Sequence, residues 1–393
     1  PAIERALTLD STLGEAYAAR GFIAWAFEAD VNNTAIADLR RATELSPNYA
    51  TAYHWYGQAL QYLKGDPETG HEVILHGIEL DPLSPMMNAI LAISFSWLGE
   101  LEQARESFER SIEISPDFAN GYTWRSFLKA SLGNIAEAIK DTRIAANVDT
   151  LSPIHPIQTG WHYLALGTLE QAQDFFELAA DLYEDDTLSQ FYEEFIPLVL
   201  NAEDPERLLG IIEGLPVHRV QNEWAIRAAV LQNGNLEAVR NYLSRTWPEL
   251  INSDMTAVGP HNYHMAVDLA WLLQQEGDEQ QANQLLDTSL MVLRQTPPEA
   301  PVNLVWERPI AEVRILALQG KDEEALLALQ RAVDGGWRIG TWILEGDPLL
   351  ASISEHPGFI AVLDEIKADM AIQLEQVRAM ERSGEIPPLP SAL

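Results

Sequence analysis

The amino-acid sequence predicts an all-α fold, a superhelical solenoid of antiparallel helix hairpins closed by a C-terminal capping helix, and three observations predict it. The stretches WLGELEQARESFERSIEISP (97–116) and SLGNIAEAIKDTRIAANVDT (131–150) are near copies set 34 residues apart. Gly99, Gly133 and Gly167 keep that spacing, and so do Ala104, Ala138 and Ala172. Pro47, Pro82 and Pro116 close TELSP, IELDP and IEISP at spacings of 35 and 34. Helical units of this length cannot bury an apolar face alone, so they stack against their neighbours.

Each position in the repeat has a steric reason. Gly21, Gly57 and Gly160 fall where the first helix of a hairpin must approach the second, and Ala35, Ala104, Ala138 and Ala172 are the small residues opposite. Tyr17, Tyr53 and Tyr122 lie one helical turn before the small sites, on the side expected to be buried. Gly99, Gly133 and Gly167 follow a leucine at the end of each first helix, the place for a left-handed cap. The prolines then stop each second helix. Through AYHWYGQALQYL (52–63) and LGELEQARESFERSIEISP (98–116) the chain resembles the tetratricopeptide repeat family over residues 1–183. More narrowly, IELDPLSPMMNAILAISFSWLGELEQARESFERSIEISPDF, with DPLSP followed by Asn88, resembles repeat regions C-terminal to winged-helix or nucleotide-cyclase domains of bacterial regulators.

Beyond that array the register changes. TLSQFYEEFIPLVLNAED (187–204) and PERLLGIIEGLP (205–216) read as a degenerate hairpin, with Pro205 in the first turn of its second helix. LQNGNLEAVRNYL, QQEGDEQQANQLL and LQGKDEEALLALQ follow, and their Gly234, Gly277 and Gly320 are each 43 apart. The added length fits the connections INSDMTAVGPHN and QTPPEAPVN. The expected organisation is a regular array over 1–183, longer degenerate hairpins over 184–336, and a capping segment with tail over 337–393.

In that last segment a helix beginning at His356-Pro357 carries Phe359, Leu363, Ile366, Met370, Val377 and Met380 as one apolar stripe. Capping of the last hairpin predicts a monomer; dimerisation through the stripe is the alternative. The tail GEIPPLPSAL reads as extended. At the other end, PAIERALTLDS aligns with the second half of a repeat, which predicts a partner helix before Pro1.

Composition narrows the function. The 393 residues carry 59 acids against 25 bases, a net charge of -34, which argues against unaided binding of nucleic acid or anionic membrane. The chain has no cysteine, so thiol chemistry and disulfides are excluded while the compartment stays open. The cytoplasm is the default, and the periplasm requires an upstream membrane anchor. No run of 18 apolar residues marks a spanning helix.

The chemistry of an enzyme is not written here: no GxSxG elbow occurs, and GGWRIG lacks phosphate-cradle spacing. His261, His264 and Asp268 are the best metal candidates, but His261 follows Gly259-Pro260 and no glutamate base accompanies them. His155 and His162, seven apart among aromatics, read as packing or ligand-contact residues. The pairs Asp185-Asp186 and Glu193-Glu194 point in different directions on a helix and read as a solvated face. Trp55, Trp97, Trp124, Trp224 and Trp271 read as inter-helix core.

No cofactor, metal or catalysis is expected. The expected function is a protein- or peptide-binding scaffold or sensor, the regulatory part of a larger bacterial signalling or transcription-regulating protein with neutral or basic partners. The alternative is a small-molecule-binding or metal-dependent domain built on the irregular middle. In tetratricopeptide geometry the first helices line a concave groove, which nominates Thr51, His54, Gln58, Gln61, Asn120, Thr123, Phe127 and Trp161. Their amides and hydroxyls suit a peptide backbone, with Phe127 and Trp161 as apolar anchors.

Overall fold

The computed structural model of the protein describes residues 2–27, 34–184, 186–194, 205–215, 230–231, 234–251, 257–259, 262–295, 308–338 and 344–388. Every regular element among them is helical. Two compact units divide at Trp124 and Arg125.

The first unit holds α1 (Ala2–Leu9), α2 (Gly14–Phe27), α3 (Thr34–Leu45), α4 (Ala50–Ala59), α5 (Pro67–Leu80), α6 (Pro85–Trp97) and α7 (Leu101–Ile114). Helices α2 and α3, α4 and α5, and α6 and α7 pair as hairpins, and α3 on α4 and α5 on α6 stack them. Helices α5 and α6 start with one device, a side-chain cap followed by proline. Asp66 accepts from the Thr69 amide ahead of Pro67 at 3.1 Å, and Ser84 from the Met87 amide ahead of Pro85 at 3.2 Å. Asn88 ties the DPLSP turn down by donating to the carbonyls of Pro82 (3.1 Å) and Ser84 (2.8 Å).

Close approach explains the small residues. A Cβ on Gly57 would lie 2.5 Å from Ile74 Cγ1 and 2.7 Å from the Gly70 carbonyl oxygen, so α4 and α5 touch nearly backbone to backbone. Ala35, Ala104, Ala138 and Ala172 are fully buried. Tyr53 and Tyr122 are half-buried rather than core, because their hydroxyls reach back to the carbonyls of Pro47 (3.1 Å) and Pro116 (3.2 Å). Each tyrosine thereby ties a first helix to the proline that ended the preceding one.

The second unit continues from Arg125 in α8 (Ala119–Ser131) through α9 (Ile135–Val148), α10 (Ile154–Ala165), α11 (Leu169–Asp181), α12 (Asp186–Glu193) and α13 (Pro205–Gly214). It then runs through α14 (Leu236–Thr246), α15 (Pro248–Ile251), α16 (Tyr263–Glu276), α17 (Glu279–Gln295), α18 (Arg308–Leu318), α19 (Asp322–Asp334) and α20 (Pro357–Ser383). Helices α10 and α11, α16 and α17, and α18 and α19 are hairpins. Gly99, Gly133 and Gly167, and after the change of period Gly234, Gly277 and Gly320, take φ between 68° and 89°. That left-handed conformation suits glycine and lets the chain reverse after each first helix.

Helix α20 starts where the sequence predicts, with the His356 ring accepting from the Gly358 amide at 3.0 Å. Its stripe is buried at Phe359, Leu363, Ile366, Met370 and Val377 and half-buried at Met380. The helix packs on α19 of the last hairpin and, further along, on α9. It therefore does more than cap the end of an open stack: it joins the last hairpin to the start of the unit. Gln373 makes the junction, donating to the Gly133 carbonyl (2.7 Å) and accepting from the Ala136 amide (3.1 Å). Gly336 meets the backbone of Leu132 and Gly133 so closely that no Cβ would fit. One continuous apolar core runs from Ala130 to Ile386.

Candidate functional site

The nominated groove residues divide by burial. Thr51, Asn120 and Phe127 are half-buried. His54 (8% exposed), Gln58 (9%), Gln61 (1%), Thr123 (1%) and Trp161 (4%) are buried, so they are not open groove surface. Two of these burials have plain causes. Trp161 packs edge-on against Phe176 of α11, ring centroids 5.1 Å apart. Gln61 lies in a π-helical turn, Leu60–Lys64, that prolongs α4 and shifts its phase. Gly70 leaves room for it, since a Cβ there would collide with Gln61 Cγ.

Around the first four candidates, the first helices of successive hairpins in the first unit bring polar and aromatic side chains together. His54 Nε2 and Gln58 Oε1 are 2.8 Å apart. Burial holds the His54 imidazole neutral, with its pKa lowered to about 4 against the pull of Gln58. Gln61 Nε2 donates to Ser94 Oγ on α6 at 2.7 Å, and Ser94 Oγ lies 2.9 Å from His71 Nδ1, whose pKa burial also lowers. The amide oxygen of Gln61 and the indole Nε1 of Trp97 are buried without a hydrogen-bond partner, an acceptor and a donor on adjacent first helices.

Alongside runs an aromatic ladder that sequence reasoning missed. Phe22 of α2 stacks on Trp55 of α4 at 4.5 Å and meets Trp25 edge-on at 6.0 Å. Trp25 lies 6.0 Å from Tyr62, and Tyr62 meets Trp97 of α6 edge-on at 5.1 Å. Phe22, Trp25, Trp55 and Tyr62 all remain half-buried. Trp97 (3%) and Trp271 (6%) are core as expected, whereas Trp55 and Trp124 are half-buried and Trp224 lies outside the described residues. A signal was present in sequence, because Phe22 directly follows the packing glycine Gly21, as Gln58 follows Gly57. That position looks along the first-helix face, not into its own hairpin.

Of the metal candidates in the irregular middle, the structure describes two. His261 and Asp185 lie outside the described residues; His264 is half-buried on α16 and Asp268 is buried one turn later. Among the described residues no three His, Cys, Asp or Glu side chains could hold a metal ion. His155 and His162 are buried, and burial lowers the pKa of His162 to about 3. No helix among the described residues is long and apolar enough to cross a membrane.

Residues 91–118, which run from within α6 through α7 to the following turn, match the family model for the tetratricopeptide repeat. These residues form a tetratricopeptide repeat. No curated protein matches its sequence. Solved structures similar to it include YrrB, a TPR protein with an unusual peptide-binding site, at 16% identity and TM-score 0.30, covering 49% of this chain and 98% of that one. PilW, a type IV pilus biogenesis factor, is 21% identical with TM-score 0.39, covering 48% of this chain and 86% of its own. Pseudomonas aeruginosa PilF is 16% identical with TM-score 0.33, covering 63% and 92%. Likeness of this degree carries no function across.

Proposed function

We propose that the chain is a non-catalytic, protein- or peptide-binding scaffold, the regulatory part of a larger bacterial signalling or transcription-regulating protein, and that its first unit holds an extended segment along α2, α4 and α6. The observation that carries this reading is the half-buried ladder of Phe22, Trp25, Trp55 and Tyr62 along the first helices. Aromatic rings supply contact area at low entropic cost. Half-buried Thr51 adds a neutral hydroxyl to the exposed part of the surface, and His54 and Gln58 lie buried beneath it.

The net charge of -34 favours neutral or basic partner segments and faster encounter at low salt. A peptide array read by calorimetry supplies the ligand. Trp55→Ala should then weaken binding by about 1–3 kcal/mol, as loss of an aromatic anchor does. A ligand indifferent to Trp25→Ala, Trp55→Ala and Gln61→Ala together, or one that is strongly acidic, would move the binding surface off these helices.

A further inference from the structure

Residues 384–388 behave as a bound peptide. Gly384 ends α20 in a left-handed conformation (φ 80°), and the amides of Glu385 and Ile386 turn back onto the Met380 carbonyl at 2.9 and 3.2 Å. Pro387 and Pro388 have no amide hydrogen, so the segment beyond the helix has only carbonyls to satisfy. Helix α9 supplies the donors from one face. Arg143 donates to the Pro387 carbonyl, and Asn147 Nδ2 donates to the Pro388 carbonyl at 3.1 Å. Lys140 Nζ pairs with Glu385 at 2.9 Å. Arg143 also pairs with Glu381 at 3.1 Å, and the Tyr163 hydroxyl donates to the same carboxylate oxygen at 3.0 Å.

The receiving surface is fixed independently of the segment it receives. The Arg143 guanidinium lies 5.2 Å over the Phe175 ring, and Phe175 stacks on Tyr163 at 5.4 Å. Arg143 is itself buried, held by residues of α10 and α11, while Ile386 (2% exposed) is the apolar anchor of the segment. In contrast, the carboxylates of Glu381 and Glu385 are 38% and 55% exposed, so the edges of the contact are open to a competitor.

We propose that the face of α9 formed by Lys140, Arg143 and Asn147, with Tyr163, is a peptide-docking site that the chain's own residues 381–388 fill. An extended partner segment of the same chemistry, a carboxylate followed by an apolar residue and then prolines, displaces them. This goes beyond the groove reading and uses a different unit, so either can fail without the other. It also assigns that site an acidic ligand, because locally the face is basic although the chain as a whole is not. The tethered segment competes at millimolar effective concentration, which makes the site self-inhibited at rest.

The test uses the full chain and a fluorescein-labelled peptide of residues 381–393, ERSGEIPPLPSAL. Ile386→Asp with Glu385→Lys should release the tail, and the peptide should bind this variant at least about tenfold more tightly than it binds the wild type, which its own tail occupies. Adding Arg143→Ala to the released chain should abolish that binding, and raising salt should weaken it. Glu385→Gln alone removes only an exposed pair and keeps the fold, so it gives a second reading: a severalfold rise in peptide affinity over wild type. If Glu385→Gln causes no rise, or a released chain with wild-type circular dichroism shows no binding, the proposal is overturned. Equal affinity for released and wild-type chains, or indifference to Arg143→Ala, overturns it as well.

Discussion

Arg20 and Arg314 each hold a carboxylate at 2.6 Å, Arg20 that of Asp38 in the first unit and Arg314 that of Asp347 in the second. In the first unit the pair bridges α2 and α3 with the arginine 36% exposed, and Glu4 of α1 shares it at 3.2 Å. In the second, both partners are nearly dry, at 4% and 2% exposure. The same hairpin architecture is thus used in two ways. The first unit leaves aromatic side chains of its first helices, Phe22, Trp25, Trp55 and Tyr62, partly open. The second is closed upon itself, because α20 packs on both the last hairpin and α9. In a stack of repeats each hairpin needs only its neighbours, and closure is what turns the second stack into one core.

The largest test of that contrast is the buried pair. Arg314→Ala leaves Asp347, which also caps the turn at Pro348–Leu350 through the Leu349 amide, as an uncompensated buried charge. We expect a loss of about 3–5 kcal/mol in urea unfolding. Arg20→Ala should cost no more than about 1 kcal/mol, since that pair is partly solvated. Equal losses would show that the second unit is no better sealed than the first.

Next in size is the close approach of α4 and α5. Gly57→Ala puts a methyl group against Ile74 and the Gly70 carbonyl, and because backbone cannot yield as a side-chain tip does, it should cost about 1–3 kcal/mol by overpacking. A gain in thermal midpoint, as helix propensity alone would give, would show that the two helices separate freely.

A third test places one buried histidine in each unit under acid. Both His54 and His162 have folded pKa values, about 4 and about 3, below their ordinary 6.5. Below pH 6.5 the unfolded chain takes up a proton that the folded chain refuses. Stability from these groups is therefore complete above pH 6.5 and lost as pH falls toward 4 and 3. At pH 5 the loss is about 2 kcal/mol per histidine. Comparing His162→Gln with wild type at pH 7 and pH 5 should show a shallower pH dependence for the second unit's contribution. An unchanged slope would mean that His162 takes up its proton in the folded state.

Much of this architecture was legible because it is local. The left-handed glycines, the helix start at His356-Pro357 and the fully buried alanines follow from near neighbours in sequence, and the 34-residue period displays the glycines and alanines several times. Closure was not legible: Gln373 meets Gly133 and Ala136 across some 240 residues, and nothing local in either segment announces its partner. Burial at the candidate positions was not legible either. Counting positions along ideal helices placed Gln61 in the groove, but the π turn at Leu60–Lys64 breaks that count. Reading Trp55 as core overlooked that hairpins stack side by side, so a residue facing the next first helix is covered only in part.

The smallest effect tests how the repeats are joined. Tyr53 and Tyr122 each donate to the carbonyl of a proline six residues earlier, at 3.1 and 3.2 Å, from rings that remain half-buried. Water can replace the lost partner of such a carbonyl, so Tyr53→Phe and Tyr122→Phe should each cost only about 0.5–1.5 kcal/mol. The ring contacts survive the substitution, and Tyr53 keeps His76 at 4.6 Å, so the change isolates the hydroxyl. If the tie positions one hairpin on the next, hydrogen exchange should quicken at the amides of Tyr49 and Phe118, which close the turns onto the carbonyls of Ser46 and Ser115, while helix interiors keep their protection. Loss of protection throughout the first unit on Tyr53→Phe would instead mean that its hairpins unfold as one body, and the contrast with the closed second unit would disappear.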